Sequence, residues 1–112
     1  MVLKNVTKNT IVTNDLVEAK SFINKYLGLL RKSNSRSLMF KARFGIHTFG
    51  LRKAIDVIIL DNKFSVVKFK ENLKPNSVFF WNPIYNLVIE LPSETLKKTQ
   101  TTLGCYLKLK LI

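Results

Sequence analysis

A strand-like alternation of hydrophobic and polar residues runs through most of the chain. Seven segments are predicted to be strands, and most of them show this alternation: residues 38–42, 46–51, 55–60, 64–70, 78–81, 85–91 and 106–112. A less regular alternation over residues 2–13 predicts an edge strand or two short strands. In the segment Ile55–Leu60 every residue except Asp56 is apolar, which is typical of a strand covered on both faces. Residues 61–63 offer a short polar connection, so a hairpin to the next strand is predicted.

A helical period interrupts this alternation between Leu16 and Leu30. Apolar residues recur there at spacings of three and four, namely Leu16, Ala19, Ile23, Tyr26, Leu27 and Leu30. Asn14 or Asp15 offers a helix N-cap, and Glu18 stands three residues after Asp15 in capping-box position. The segment predicts one amphipathic helix that packs against a sheet.

A short second helix is predicted over residues 93–100, because Pro92 stops a strand and Ser93 can cap a helix. Gly104 then turns the chain into its last strand. This count of strands predicts a mainly β protein (α+β by strict count). We expect an antiparallel β-sandwich, or a jelly-roll-like, partly open barrel, with one amphipathic helix and one short helix. No linker or repeat divides the chain, so residues 1–112 are expected to form a single domain.

Composition fits a globular protein, with 46% hydrophobic residues. No apolar run reaches the roughly 18 residues of a membrane span, and the amino terminus does not resemble a secretory signal, so a cytoplasmic location is expected.

Cys105 is the only cysteine, which excludes a disulfide framework and a CxxC pair. A small buried side chain is favoured for it over a reactive thiol, which needs a base or a helix terminus nearby.

The formal net charge of +12 raises the affinity for any polyanion, whether RNA, DNA or an acidic membrane surface. However, Lys and Arg occur singly and in pairs, and no block of five or six forms a basic arm. The accompanying Asn, Ile and Phe are typical of an AT-rich genome, which can supply such charge without a partner. Diffuse solvated charge is therefore favoured over specific nucleic-acid binding, and both hypotheses stay open.

Catalytic signatures such as GxGxxG, the Walker A loop, GxSxG and HExxH are absent, and one histidine with one cysteine does not indicate a zinc site. His47 and Asp56 form an acid–base pair if the strands that carry them are neighbours. The favoured alternative is structural: His47 satisfies a backbone carbonyl, and Asp56 caps a turn or accepts backbone N–H groups of a neighbouring loop.

Residues 47–50 also fit a binding loop, in which Thr48 supplies a hydroxyl, Gly50 allows close backbone approach and Arg52 with Lys53 holds an anion. Alternatively, Gly50 marks a bulge or turn and the cations are solvated, while Phe49 is expected in the core.

Three consecutive aromatic residues, 79–81, cannot all face inward on a strand, so at least one of them is expected at the surface. An exposed Trp81 would indicate a partner surface beside the basic residues. A buried Trp81 would be ordinary core, and this second interpretation is favoured.

Four segments in order resemble the family called domain of unknown function 192: KYLGLLRKS, SLMFKARFGIHTFGLRKAIDVIILD, YNLVIELPSETLKK and LGCYL. The resemblance covers about residues 16–107, with HTFG followed by IDVIILD as its most specific part. It implies a mainly antiparallel β-sandwich or jelly-roll-like domain with a helix packed on it, and no established activity.

Some positions depart from that family's pattern. Ala54, Glu94 and Cys105 stand where the pattern has proline, glycine and aspartate, so a ligand or ion role is not carried over to the last two turns. The residues at the centre of the pattern fit it: His47, Thr48, Gly50 and Asp56.

The sequence therefore favours a non-enzymatic binding or interaction module with no cofactor and an unassigned ligand, and it does not indicate the oligomeric state. The candidate binding residues are His47, Thr48, Gly50, Arg52 and Asp56, with Trp81 as a wall of the site. A nucleic-acid or other anionic partner is the first alternative. A small hydrolase or isomerase that uses His47 and Asp56 is the second.

Overall fold

The computed structural model of the protein describes residues 1–19 and 37–111. Its strands and its one described helix, in chain order, are β1 Val2–Asn5, β2 Thr10–Thr13, β3 Val17–Glu18, β4 Leu38–Lys41, β5 Gly45–His47, β6 Ile55–Leu60, β7 Val66–Leu73, β8 Val78–Phe80, β9 Leu87–Pro92, α1 Thr95–Thr99 and β10 Leu107–Lys110. The prediction of a mainly β protein is confirmed.

The strands form three sheets. A five-stranded sheet has the order β3-β4-β9-β6-β7, a three-stranded sheet has the order β10-β1-β2, and β5 pairs with β8 in a two-stranded ribbon. All of these pairs are antiparallel except β3 with β4, which are parallel. The middle strand of the large sheet is β9, and β6 lies beside it between β9 and β7.

The five-stranded sheet is covered on both faces, as the sequence of β6 predicts. Ile58 and Leu60 of β6 belong to a core cluster that includes residues of the three-stranded sheet and Leu96 of α1. Val57 and Ile59 belong to a second cluster, which includes Ile46 and Phe79 of the ribbon and Trp81, the residue after β8. The ribbon therefore packs on one face of the large sheet, while the small sheet and α1 pack on the other.

The predicted amphipathic helix over residues 16–30 falls mostly on residues 20–36, which lie outside the described part of the chain. Its predicted start is wrong, because Val17 and Glu18 form β3. The N–H groups of Val17 and Ala19 donate to the carbonyls of Ser37 and Met39, at 2.9 Å each, along the parallel edge of β4. Sheet pairing overrides the local helical period at these residues.

The predicted hairpin after Leu60 is confirmed, and Asp61 makes its turn. The Asp61 carboxylate accepts hydrogen bonds from the N–H groups of Lys63 and Ser65, both at 2.9 Å. The short helix is confirmed as well, but Ser93 does not cap it. Glu94 occupies the N-cap position with φ 76° and makes no side-chain capping bond.

Candidate functional site

The β5–β8 ribbon has one buried and one exposed face. Ile46 pairs with Phe79, and both side chains are buried. His47 pairs with Val78 and Gly45 with Phe80, and because directly opposed residues share a face, these side chains point away from the core. Val78 is 51% exposed and Phe80 is 61% exposed. The aromatic run 79–81 thus places Phe80 at the surface, as the alternation predicts.

The exposed face continues into the loop after β5. The rings of His47 and Phe49 stack with their centroids 4.8 Å apart and their planes 29° apart. The N–H of Phe49 donates to Nδ1 of His47 at 3.3 Å, which closes the turn. Phe49 is 58% exposed, so the expectation that it lies in the core is wrong. We call the exposed set His47, Phe49, Val78 and Phe80 the ribbon face.

Gly45 allows the Phe80 ring to lie on the ribbon. A Cβ atom at Gly45 would stand 2.5 Å from Cδ1 and 3.0 Å from Cε1 of Phe80, and 2.7 Å from the carbonyl oxygen of Phe79. No side chain fits at these distances, so the ring occupies the space that the absent Cβ leaves. No local pattern predicts this role, because the strand pairing that brings Phe80 to Gly45 joins residues 35 positions apart.

Phe44, at the end of the ribbon, has a strained backbone. Its φ is 73°, and the N–H of Gly45 donates to the carbonyl of Arg43 at 2.9 Å across it. A turn of this kind is rare for a bulky residue. The Phe44 carbonyl accepts the N–H of Trp81 at 2.9 Å, while its side chain is 64% exposed. Strain of this kind concentrates at ligand-binding sites, and here it accompanies an exposed aromatic ring.

The Thr48 hydroxyl is buried and hydrogen-bonds the loop after β5 to the loop of residues 74–77. The side chain is fully buried, and Oγ1 donates to the carbonyl of Lys74 at 2.6 Å and accepts the N–H of Ser77 at 2.8 Å. The Thr48 N–H also donates to the carbonyl of Ser77 at 2.9 Å. The hydroxyl predicted for a ligand thus holds two loops of the protein together.

Gly50 and the basic pair lie in the exposed part of the same loop. Gly50 has φ 86° and open space where a side chain would be. Glycine is therefore needed here for the backbone conformation of the turn, and not for the close approach of another group. The turn is closed by the N–H of Leu51, which donates to the carbonyl of Thr48 at 3.1 Å. Arg52 and Lys53 are exposed and can reach an anionic partner.

Trp81 lies beneath the ribbon and not at its surface. It is 5% exposed, its Nε1–H donates to the carbonyl of Tyr85 at 2.9 Å, and its ring centroid is 5.9 Å from that of Phe79. This burial agrees with the interpretation favoured from the sequence. Trp81 therefore supports the ribbon from the core side.

The two segments that form the ribbon and its flanking loops carry only positive charges. The segments 41–53 and 74–86, which form both strands and their flanking loops, contain no Asp or Glu and five cations: Lys41, Arg43, Arg52, Lys53 and Lys74. A sixth cation reaches the ribbon from β7. The amine of Lys68 donates to the carbonyl of Phe80 at 2.6 Å and lies 5.0 Å from the ring centroid of Phe79.

Asp56 and His47 do not lie on neighbouring strands. β5 pairs with β8, whereas β6 has β9 on one side and β7 on the other, so the pairing that the acid–base hypothesis requires is not formed. Asp56 is fully buried, and its two carboxylate oxygens accept the N–H groups of Asn72 and Leu96, each at 2.9 Å. His47 is on the exposed face. Asp56 thus binds backbone, as in the favoured structural alternative.

Cys105 is 2% exposed and packs in the core cluster between the two larger sheets. Burial raises the pKa of its thiol, but hydrogen bonds with Thr102 and Asn5 and the charge of Lys8 outweigh burial and leave the pKa below its ordinary value.

Within residues 1–19 and 37–111 no three His, Cys, Asp or Glu side chains are grouped to hold a metal ion. The same residues contain no helix long and apolar enough to cross a membrane.

Comparison with known proteins finds a relative in sequence and solved structures of similar fold. No family model matches the chain. It is 33% identical over 94 residues to a UPF0127 protein of Pyrococcus horikoshii, a match that covers 79% of this chain and 81% of that protein. The first structural neighbour is a crystal structure of a provisionally named transcription regulator from Sinorhizobium meliloti 1021, with a TM-score of 0.76, 15% identity, and coverage of 96% of this chain and 89% of the other.

The second neighbour is a protein of unknown function from Novosphingobium aromaticivorans. It also has a TM-score of 0.76, with 10% identity and coverage of 96% of this chain and 82% of that one. At these identities the likenesses concern the fold alone.

Proposed function

The chain belongs to the UPF0127 family, and we propose that it is a non-enzymatic binding module whose ligand-binding surface is the ribbon face. The ligand is bound by contact with the exposed rings. No chemical step is assigned to this surface.

The observation that carries the proposal is the exposure of Phe49 and Phe80 on one face of a ribbon that the rest of the fold holds in place. Each is more than half exposed, although burying a phenylalanine side chain is worth about 1.5–3 kcal/mol. Gly45 leaves room for the Phe80 ring, and the stacking of Phe49 on His47 accompanies the turn after β5. Contiguous apolar surface of this kind is a mark of interaction sites on globular proteins.

Asp56 is left out of the proposed surface. Both of its oxygens are occupied by backbone N–H groups, and its strand lies in a different sheet from that of His47. The proposal therefore uses His47 as a stacking partner for Phe49 and gives it no acid–base role with Asp56.

We also propose that the family is the one named domain of unknown function 192. The HTFG segment, its most specific part, forms the end of β5 and the loop of the ribbon face, and IDVIIL forms β6. A single domain is supported by the two core clusters, which share the five-stranded sheet. A cytoplasmic location remains a prediction from the sequence.

The proposal is tested by mapping small probes on the ¹⁵N-labelled full chain by NMR. The probes are adenosine monophosphate, N-acetyl-tryptophanamide and an anilinonaphthalene sulfonate dye. We expect shifted amides to concentrate in residues 44–50 and 77–81. The double variant Phe49→Ala/Phe80→Ala should lose these shifts. The control Ile11→Ala, which removes a side chain 48% exposed on β2, should keep them. Shifts that concentrate on another surface, or that survive in the double variant, would refute the proposal.

A further inference from the structure

We propose that the ligand of the ribbon face is a single-stranded nucleic acid, whose bases stack on Phe80 and on the His47–Phe49 pair and whose phosphates contact the bordering cations. This inference rests on the proposed function, because it names the ligand class of the same surface.

The ring geometry fits unpaired bases. Ring atoms Cδ1 and Cε1 of Phe80 lie against Gly45, and the Phe80 side chain is 61% exposed to solvent. His47 and Phe49 form a second platform of two stacked rings. Single-stranded nucleic acids bind to such exposed aromatic rings because every base has a flat face, and proteins of this type place cations beside the rings for the backbone.

The charge distribution favours an anionic ligand at this surface in particular. The chain has seven Asp and Glu residues, and none of them lies in the two segments that form the ribbon and its loops. Arg43 precedes Phe44 directly, and Arg52 with Lys53 follows the Phe49 turn, all three exposed. A polyanion that covers the rings therefore meets cations at both ends of β5, and the two segments that carry the rings contain no carboxylate.

A duplex fits this surface less well than a single strand. The bases of a duplex are stacked inside and cannot lie on Phe80 or Phe49, whereas the grooves are read by a helix or a longer ribbon. The strands of the ribbon have three residues each, and α1 has five. An acidic membrane would pair with the cations but has no flat π faces to stack on the rings. Loss of stacking in Phe49→Ala/Phe80→Ala therefore distinguishes a nucleic acid from a membrane.

The test is fluorescence anisotropy of a labelled 12-nucleotide oligouridine with the full chain, over a series of salt concentrations. We expect binding at low salt that weakens as salt rises. Phe49→Ala/Phe80→Ala should weaken binding about 5- to 150-fold for each base that loses its stacking partner. Circular dichroism of the variant checks that the fold is intact, which is expected because both rings are at the surface.

Charge variants separate local contacts from total charge. Each phosphate contact contributes about −0.7 to the slope of log affinity against log salt for a single strand. Arg52→Gln/Lys53→Gln should make the slope shallower by about 1.4 if each residue neutralises one phosphate. The control Lys108→Gln/Lys110→Gln removes the same charge from exposed positions of β10 in the three-stranded sheet and should change the slope far less.

Several results would overturn the inference. The first is the absence of oligouridine binding at low salt, and the second is an equal effect of the two charge variants on the salt slope. The third is stronger binding of a duplex of equal length. The fourth is binding to phosphatidylserine vesicles that is lost in Phe49→Ala/Phe80→Ala, while the same variant still binds oligouridine. If oligouridine fails to bind but the small probes still shift amides 44–50 and 77–81, the proposed surface stands and only its ligand class is wrong. If both experiments fail, the proposed function fails with it.

Discussion

Asp56 Oδ2 accepts a hydrogen bond from the backbone N–H of Leu96 at 2.9 Å, within the first turn of α1. The first N–H groups of a helix have no partner inside the helix, and Glu94 at the N-cap supplies none from its side chain. Oδ1 of the same carboxylate accepts the N–H of Asn72 in β7. One buried side chain of β6 thus joins a helix 40 residues later to the neighbouring strand.

Replacing Asp56 with alanine leaves the buried N–H of Leu96 and the part-buried N–H of Asn72 without an acceptor. We expect a loss of about 2–6 kcal/mol in the free energy of unfolding, measured by urea denaturation. Asp56→Asn retains one acceptor oxygen and should lose about half as much. Asp61→Ala is a matched control, because Asp61 also accepts two N–H groups but in a half-buried turn, and its loss should be about 1 kcal/mol. A value for Asp56→Ala no greater than that of Asp61→Ala would contradict the structural role.

Gly45→Ala should displace the Phe80 ring of the ribbon face, although residue 45 itself makes no contact with the proposed ligand. The added Cβ collides with the Phe80 ring and with the Phe79 carbonyl, and we expect a loss of about 1–3 kcal/mol in stability together with weaker oligouridine binding. Gly104→Ala serves as the control, since Gly104 has φ 84° and open space. It should cost a similar amount of stability through its backbone and leave binding unchanged. Unchanged binding in Gly45→Ala would show that the position of the Phe80 ring is unimportant.

Thr48→Val removes a hydroxyl while it keeps the shape of the side chain. The N–H of Ser77 and the carbonyl of Lys74 then lose a buried partner, and we expect a loss of about 1–3 kcal/mol. The amide signals of residues 74–77 should shift in the NMR spectrum. Thr7→Val is the exposed control, because the Thr7 hydroxyl accepts the N–H of Tyr106 at the surface. If Thr48→Val is as stable as Thr7→Val, the Thr48 hydroxyl does not hold the two loops together.

Cys105 combines a lowered thiol pKa with burial, and the two affect alkylation in opposite directions. The lowered pKa increases the reactive thiolate, whereas the 2% exposure denies access to the reagent. We expect access to dominate, so that iodoacetamide labels the native protein much more slowly than the urea-unfolded chain, because the thiol reacts only when the core opens. Comparable rates in the two states would place the thiol at the surface.

The sequence predicted the elements whose local pattern agrees with their tertiary surroundings. β6 is apolar at every position except Asp56, and this pattern matches a strand with a core cluster on each face. The polar connection after Leu60 predicted its hairpin, since the Asp61 side chain makes the turn from within the loop itself. The alternation of three aromatic residues predicted that at least one ring lies at the surface, which is Phe80, and the favoured interpretation of Trp81 as a core residue agrees with its burial.

Features that depend on distant partners were not accessible from the sequence. Val17 has a helical pattern around it, but pairing with β4 fixes it in a strand. Thr48 was expected to face a ligand, and only the approach of the 74–77 loop explains its burial. Phe49 was expected in the core because it is large and apolar, whereas the turn closed on His47 Nδ1 places its ring in solvent.

The NMR spectrum of the ¹⁵N-labelled chain during titration with the 12-nucleotide oligouridine tests most directly where the ligand binds. The account predicts that the shifted amides lie in residues 44–50 and 77–81, around Gly45, His47, Phe49 and Phe80, with β10 unaffected. Shifts concentrated on the lysines of β10, or spread evenly over the basic surface, would contradict it.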